Sequence, residues 1–203
     1  MDRTRMTASP VSKQRRWHER IDAELLNIVG NFERLRQNAD SISAAADLIV
    51  ATLQSGGKIL LCGNGGSAAD AQHLAAEFMG RYLKDRVPLP ALALTVDTSA
   101  LTAIANDYAF EDVFARQLRG IGRRGDLLIG ISTSGNSKNV IKAIEAAKAM
   151  GIGTLALTGG SGGRLTAAAD LAICVPATRT NEIQEMHIAI GHILCGIVED
   201  TLC

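Results

Sequence analysis

Two segments of the sequence carry backbone and hydroxyl groups suited to holding an anion. GNGGS at 63–67 follows the predicted strand 58–62, and STSGNS at 132–137 follows the predicted strand 126–131. Glycines allow the backbone to approach a ligand closely, and hydroxyls at the start of a helix join free N–H groups and the positive end of the helix dipole. Turn glycines and a Ser/Asn-rich helix start would explain either segment alone. Two such segments in one sheet favour a phosphate site.

The same segments differ from the common nucleotide-binding motifs. The sequence contains no GxxxxGK[ST], which argues against a nucleoside triphosphatase. GNGGSA lacks the GxGxxG spacing and the acidic residue about 20 positions later that a dinucleotide site requires. The anion expected here is therefore the phosphate of another kind of ligand.

A second group of residues offers side chains for acid–base or metal chemistry. His73 and Glu77 are four residues apart in a predicted helix, so both lie on one side of it, although two such residues often form only a solvated pair. Gln184 and His192 share a row on the last predicted helix, which drifts about 40° with every four residues. His187 points well away from His192. The spacing does not decide which histidine is functional, and a packing or interface role for His187 stays open.

The pattern of apolar residues predicts the elements that position these groups. Amphipathic spacing indicates two N-terminal helices, at 17–36 and 39–54, and short, continuously apolar strands then alternate with helices. Such strands are typical of a parallel sheet covered on both faces, whose ligands bind beyond the carboxyl ends of the strands. We expect an α/β fold with a five-stranded parallel sheet in a flavodoxin-like three-layer sandwich. The predicted strands are 58–62, 91–96, 126–131, 153–158 and 171–175. The predicted helices between and after them are 66–81, helical segments that fill 98–120, 137–150, a short one, and 181–201.

Length, charge and cysteine usage limit the class of protein. The 203 residues fit one domain at 17–203 after an irregular leader at 1–16. With 21 basic and 21 acidic residues, the formal net charge is zero, which argues against a nucleic-acid partner. A solvated leader is favoured over a nucleic-acid-binding arm, because no aromatic residues interleave its basic ones, which are Arg3, Arg5, Lys13, Arg15 and Arg16.

Compartment and redox state follow from the same composition. No apolar run reaches the roughly 18 residues needed to cross a membrane, and no apolar segment of a signal peptide follows the basic leader. The four cysteines form no CxxC pair. We expect a cytoplasmic protein with reduced, mostly structural thiols and no membrane partner.

Five stretches over about residues 20–200 resemble the phosphoheptose isomerase group of SIS-domain proteins. They are CGNGGSAADAQHLAAEFMGRY, IANDYAFEDVF, GISTSGNSKNVIKAI, ALTGGSGG and RTNEIQEMHIAIGHIL, in order and with compatible spacing. The resemblance implies a homotetramer with active sites between subunits. It also implies conversion of sedoheptulose 7-phosphate into D-glycero-D-manno-heptose 7-phosphate, the first step of bacterial ADP- or GDP-heptose synthesis for lipopolysaccharide or capsule.

The resemblance also implies roles for individual residues. Some members bind zinc, which implies one Zn²⁺ per subunit, and Glu77 and His192 match the acid–base pair. At Asn181 some relatives carry an Asp that faces the substrate, so that carboxylate's role is in doubt here. The implied metal ligands are His73, Glu77, Gln184 and His192; the implied phosphate-binding residues are Ser67, Ser132, Thr133, Ser134 and Ser137; and the implied substrate contacts are Asn64, Gly65, Gly66, Asn106 and Asp107, with Glu77 and Gln184.

These residue types suit an aldose–ketose isomerisation. Moving a carbonyl between C2 and C1 requires a base and an acid that flank an enediol, and each is typically worth about 10²–10⁴-fold in rate. A zinc ion could polarise the carbonyl oxygen, but Gln184 is an uncharged and unusual ligand. Ligation of Glu77 to a metal would lower its basicity. The sequence does not decide which of the two roles of Glu77 dominates.

Three alternative functions fit parts of the pattern. Relatives that bind the replication initiator DnaA also resemble this chain, notably at LTAIAND and the closing helix, but they look like isomerases without the catalytic Glu and His, which this chain retains. A sugar-phosphate-sensing transcription regulator would need a helix-turn-helix segment, and none accompanies the domain. An isomerase acting on another sugar phosphate remains an alternative.

Overall fold

The computed structural model describes residues 10–203, which form a five-stranded parallel sheet between two layers of helices. The strand order is β2-β1-β3-β4-β5, and every neighbouring pair is parallel. The predicted fold class is thereby confirmed. The elements are α1 Pro10–Leu35, α2 Ala39–Gln54, β1 Ile59–Gly63, α3 Gly66–Met79, β2 Ala91–Ala93, α4 Thr98–Asp107, α5 Val113–Ile121, β3 Leu127–Ser132, α6 Lys138–Ala149, β4 Gly153–Gly159, α7 Gly163–Ala168, β5 Leu171–Val175 and α8 Thr180–Leu202.

Burial on both sides of the sheet explains why the strands are largely apolar. Every residue of β1 and β3 is buried. One core cluster joins one face of the sheet to α2, α3 and α8, and a second joins the other face to α5, α6 and α7. The small side chains of the sequence let the helices pack closely on these strands.

The first helix differs from its predicted start. The expectation of an irregular leader at 1–16 is wrong for residues 10–16, because α1 begins at Pro10 and runs without interruption to Leu35. Proline is favoured at the first position of a helix, where its missing N–H leaves no bond unmade. Residues 1–9 of the predicted leader, with Arg3 and Arg5, lie outside the described residues.

The region around β2 also differs from its prediction. The strand ends at Ala93 rather than at residue 96, because it is a short edge strand and the chain turns away to start a helix. Asp97 caps that helix by accepting a hydrogen bond from the backbone N–H of Ala100 at 2.9 Å. The helical segments predicted at 98–120 are α4 and α5, and α4 ends at Asn106 and Asp107, residue types that compete with the backbone for hydrogen bonds.

The outer face of α1 leaves a row of large apolar side chains uncovered. Ile21, Leu25, Leu26 and Val29 are all more than half exposed, and Leu26 is 72% exposed. A row of this size on one helix is the kind of patch that marks an interaction surface. Among the described residues, no helix is long and apolar enough to cross a membrane.

Candidate active site

Helices α3 and α8 bring three of the predicted metal ligands to one point. His73 Nε2 lies 2.9 Å from His192 Nε2 and 3.3 Å from Glu77 Oε1. The ligand atoms of all three side chains lie within 4.8 Å of one another. Helical spacing explains the pairing of His73 with Glu77, but only the fold brings in His192 from 119 residues away.

The spacing of these atoms fits a tetrahedral metal ion. Zinc binds nitrogen and oxygen at about 2.0–2.2 Å, which places neighbouring ligand atoms on the order of 3.3 Å apart. The His73–Glu77 separation of 3.3 Å has this value, and the His73–His192 separation of 2.9 Å is slightly shorter. One carboxylate and two imidazoles are also a common donor set for catalytic zinc.

Gln184 contacts the glycine-rich loop, and Tyr82 contacts the metal-ligand cluster. The amide of Gln184 packs against Gly66 so closely that a Cβ at Gly66 would lie 2.4 Å from Gln184 Nε2. The ring of Tyr82 stacks on the His192 imidazole, with centroids 5.8 Å apart and planes 23° apart. The assignment of Gln184 as a fourth ligand stays a prediction, and no spacing pattern in the sequence pointed to Tyr82.

His187 lies in the core and outside the metal-ligand cluster. Its side chain is fully buried, and burial lowers the pKa of His187 to about 4. The imidazole is therefore neutral at physiological pH. This position agrees with the packing role that the sequence left open for His187.

The serine-rich loop follows β3 and leads into α6 at the carboxyl edge of the sheet. Ser132 Oγ and Ser137 Oγ lie 2.9 Å apart, and Ser134 Oγ accepts a hydrogen bond from the backbone N–H of Asn136 at 3.2 Å. Ser132 is buried, whereas Ser134 is exposed. The loop therefore presents hydroxyls at the start of a twelve-residue helix, as an anion cradle requires.

Glycines fix this loop against the loop that follows β4. Gly135 has a φ of +64°, and a Cβ there would lie 1.9 Å from the carbonyl oxygen of Gly162. A Cβ at Gly163 would lie 2.6 Å from the carbonyl oxygen of Ser134. The two loops thus meet backbone to backbone, which only glycine permits.

A reciprocal amide pair joins the first turn of α6 to the glycine-rich loop after β1. Asn64 Nδ2 donates to Asn139 Oδ1 at 2.9 Å, and Asn139 Nδ2 donates to Asn64 Oδ1 at 2.8 Å. Ser67, on the first turn of α3, is buried at 3% exposure, and Gly65 has a φ of +56°. Asn139 was not predicted as a site residue, because its partner is 75 residues away in sequence.

The remaining predicted site residues lie in separate parts of the fold. Asn106 and Asp107 are exposed at the end of α4, where Asn106 Nδ2 donates to Asp107 Oδ1 at 2.9 Å. Thr133 is half-buried in the serine-rich loop, and Asn181 is exposed in the first turn of α8. Their roles, and those of the loop residues, stay predictions.

Comparison with known proteins gives one consistent family. The family model of the SIS domain matches residues 26–159. The chain is 58% identical over 172 residues to a phosphoheptose isomerase of Rhodospirillum rubrum, which covers 85% of this chain and 92% of that protein. It is 55% identical over 181 residues to a phosphoheptose isomerase of Akkermansia muciniphila, with 89% and 96% covered.

A solved structure gives the same result. The phosphoheptose isomerase GmhA from Neisseria gonorrhoeae superimposes with a TM-score of 0.86 at 46% identity, and the match covers 91% of this chain and 99% of that one. The identity and coverage lie far above what a shared fold alone would produce. This chain therefore belongs to the SIS-domain proteins and, within them, to the phosphoheptose isomerase family.

Proposed function

We propose that the protein converts sedoheptulose 7-phosphate into D-glycero-D-manno-heptose 7-phosphate through an enediol. The observation that carries this proposal is the convergence of Glu77 and His192 from two helices on one point, in a chain whose relatives are named phosphoheptose isomerases. The reaction would open bacterial heptose synthesis in the cytoplasm, for lipopolysaccharide or capsule.

In this proposal Glu77 and His192 are the acid–base pair. One proton must leave C1 of the ketose and one must arrive at C2, while protons shift between the two oxygens, so groups of both kinds must flank the same two carbons. A carboxylate and an imidazole on facing helices meet this need. Both side chains are only partly exposed, so water competes less for their protons.

The phosphate would bind at the serine-rich loop. Ser132, Thr133, Ser134 and Ser137 supply hydroxyl donors, and the first N–H groups of α6 add to them. Ser67 would contribute from the first turn of α3, since the Asn64–Asn139 amide pair ties that loop to α6. The anchored phosphate would then hold the sugar chain beside the neighbouring glycine-rich loop.

His73, Glu77 and His192, with Gln184, would hold one Zn²⁺ per subunit. When bound there, the ion supplies Lewis-acid polarisation of the substrate's carbonyl oxygen. Protonation of the imidazoles would compete with the metal, so its affinity falls at acid pH. Glu77 then has two roles, and its basicity during proton transfer depends on whether it is a ligand at that moment.

The direct test is incubation with sedoheptulose 7-phosphate, with and without added Zn²⁺. We expect an aldoheptose 7-phosphate to form, faster with zinc, and unphosphorylated sedoheptulose to react at least a hundredfold less efficiently in kcat/KM. Equal kcat/KM for the two sugars would contradict the phosphate site. If the parent protein isomerises no sugar phosphate, the result favours the alternative of a non-catalytic protein that binds DnaA.

We also propose that the chain assembles as a homotetramer with its active sites between subunits. The uncovered row on α1 supports this proposal, as does a neighbouring apolar cavity of about 380 Å³ whose lining includes Phe32, Leu35, Ile193 and Ile197. An apolar surface that joins α1, α2 and α8 suits burial against a second copy related by a two-fold axis.

Light scattering at micromolar concentration tests the assembly. We expect a mass of about 86 kDa, four times the chain mass of 21.4 kDa. Leu26→Glu puts a charge into the apolar row and should shift the mass to a smaller species, because a buried unpaired charge costs several kcal/mol. Ala51→Glu adds the same charge at an exposed position of α2 and should leave the mass unchanged. A monomeric parent protein would overturn the proposal.

A further inference from the structure

A buried ion pair that takes no part in the proposed chemistry lies next to the metal-ligand cluster. Arg86 Nε donates to Glu199 Oε2 at 3.0 Å, and the two side chains are 4% and 2% exposed. Such pairs are costly to desolvate and contribute little net stability compared with apolar residues of the same size. The burial of both charges therefore calls for an explanation other than stability alone.

Glu199, near the end of α8, holds the loop that follows α3. Its carboxylate accepts hydrogen bonds from the backbone N–H groups of Tyr82 at 3.1 Å, Leu83 at 2.8 Å and Lys84 at 2.7 Å. Burial alone would raise the pKa of Glu199, but these bonds and the bond from Arg86 outweigh it and lower the pKa to about 2. The carboxylate is thus fully charged and fully bonded, and it fixes three consecutive residues of the loop.

Arg86 holds the end of α3 from the same point. Its Nη2 donates to the carbonyl oxygen of Glu77 at 2.8 Å, and its Nη1 donates to those of Phe78 at 2.9 Å and Val87 at 3.1 Å. One guanidinium therefore binds the backbone of a proposed metal ligand on one side and Glu199 on the other. Lysine has no planar fork and cannot reproduce this set of bonds.

Glu199 fixes the loop that places Tyr82 against His192, the proposed metal ligand on α8. The Tyr82 ring stacks on His192 at 5.8 Å between centroids, and its backbone N–H is one of the groups bound by Glu199. The pair thus reaches both halves of the cluster: Glu77 on α3 through Arg86, and His192 on α8 through Tyr82.

We propose that the Arg86–Glu199 pair is a positioning device that sets the relative placement of Glu77 and His192. It touches neither metal nor substrate and acts through the backbone of Glu77 and the ring of Tyr82. This inference rests on the proposed function of the cluster. Groups behind the ligands of a metal site typically change affinity or activity by about 10–100-fold when lost.

The first test uses the metal-free protein and needs no activity. At pH 8, the imidazole protons of His192 should show an upfield ring-current shift from Tyr82 in NMR spectra, assigned by comparison with Tyr82→Leu. Glu199→Gln keeps the size of the side chain but removes the charge that holds the loop, so we expect this shift to be lost. Arg86→Lys is the milder variant if Glu199→Gln does not fold, and it should reduce the shift.

A buried acid immediately before β3, which contacts neither Glu77 nor Tyr82, provides the matched control. Asp126 is 5% exposed and accepts hydrogen bonds from Lys58 Nζ at 2.6 Å and from the backbone N–H groups of Lys58 at 3.0 Å and Arg123 at 2.8 Å. Asp126→Asn should destabilise the protein comparably and leave the His192 shift unchanged. A purely structural role for Glu199 would make the two variants behave alike.

The second measurement is the affinity for Zn²⁺, with kcat and KM. We expect Glu199→Gln to weaken Zn²⁺ binding at least tenfold and to lower kcat with little change in KM, while Asp126→Asn stays within twofold of the parent. A folded Glu199→Gln protein that keeps the His192 shift overturns the inference. A parent protein that binds no Zn²⁺ and isomerises nothing overturns the proposed function instead, and the His192 shift then still decides the positioning role.

Discussion

We expect His192→Ala to lower kcat by about 10²–10⁴-fold and to remove most of the affinity for Zn²⁺, because the proposed roles of His192 as acid–base group and as metal ligand are lost together. His187→Ala is the matched control on the same helix. It loses a fully buried side chain and therefore stability, but it leaves Zn²⁺ affinity and kcat near the parent values. Zinc titration and steady-state kinetics on the folded fraction of both variants make the comparison. The reverse pattern would show that the functional histidine of α8 has been assigned wrongly.

Glu77→Gln gives the second large effect. Glutamine keeps the shape of the side chain but cannot take a proton, so we expect kcat to fall by about 10²–10⁴-fold. Exchange of substrate hydrogen with deuterium from the solvent should stop in parallel, since that exchange reports proton removal directly. Glu145→Gln, an exposed glutamate on α6, should leave both unchanged.

The same variant separates the two roles of Glu77. If the residue acts mainly as a ligand, added Zn²⁺ at high concentration should restore part of the activity of Glu77→Gln. If it acts mainly as the base, saturating Zn²⁺ should not restore activity. Retention of full turnover and full exchange would remove Glu77 from the chemistry altogether.

Most of the fold could be predicted because its strands are buried on both sides. The segment 127–131 is apolar throughout, and its short length and the polar, glycine-containing loop that follows separate it from a helix. The predictions were wrong at the margins, at the start of α1 and at the end of β2. At these two places the boundary of the element depends on single residues, Pro10 and Asp97, rather than on the spacing of apolar residues.

Residue spacing in the sequence could predict only the part of the site that depends on a single helix. Helical spacing alone predicts that His73 and Glu77 share a face, yet it cannot choose between His187 and His192. The choice depends on which side of α8 packs on the sheet, and that is decided by residues far away in sequence. Asn139 and the Arg86–Glu199 pair were missed for the same reason, because their partners lie 75 and 113 residues away.

The backbone contact between Gly135 and Gly162 has a consequence for the choice of sugar. With no side chain between them, these loops pack backbone against backbone, and a side chain at Gly135 would displace one loop from the other. The proposed acid–base pair is attached to the same sheet through α3 and α8. In the proposed mechanism, a phosphate bound at the serine-rich loop and a carbonyl that reaches Glu77 and His192 would be separated by a fixed distance. The protein would then select its substrate by length, because the carbonyl of a shorter or longer sugar chain would not reach both residues.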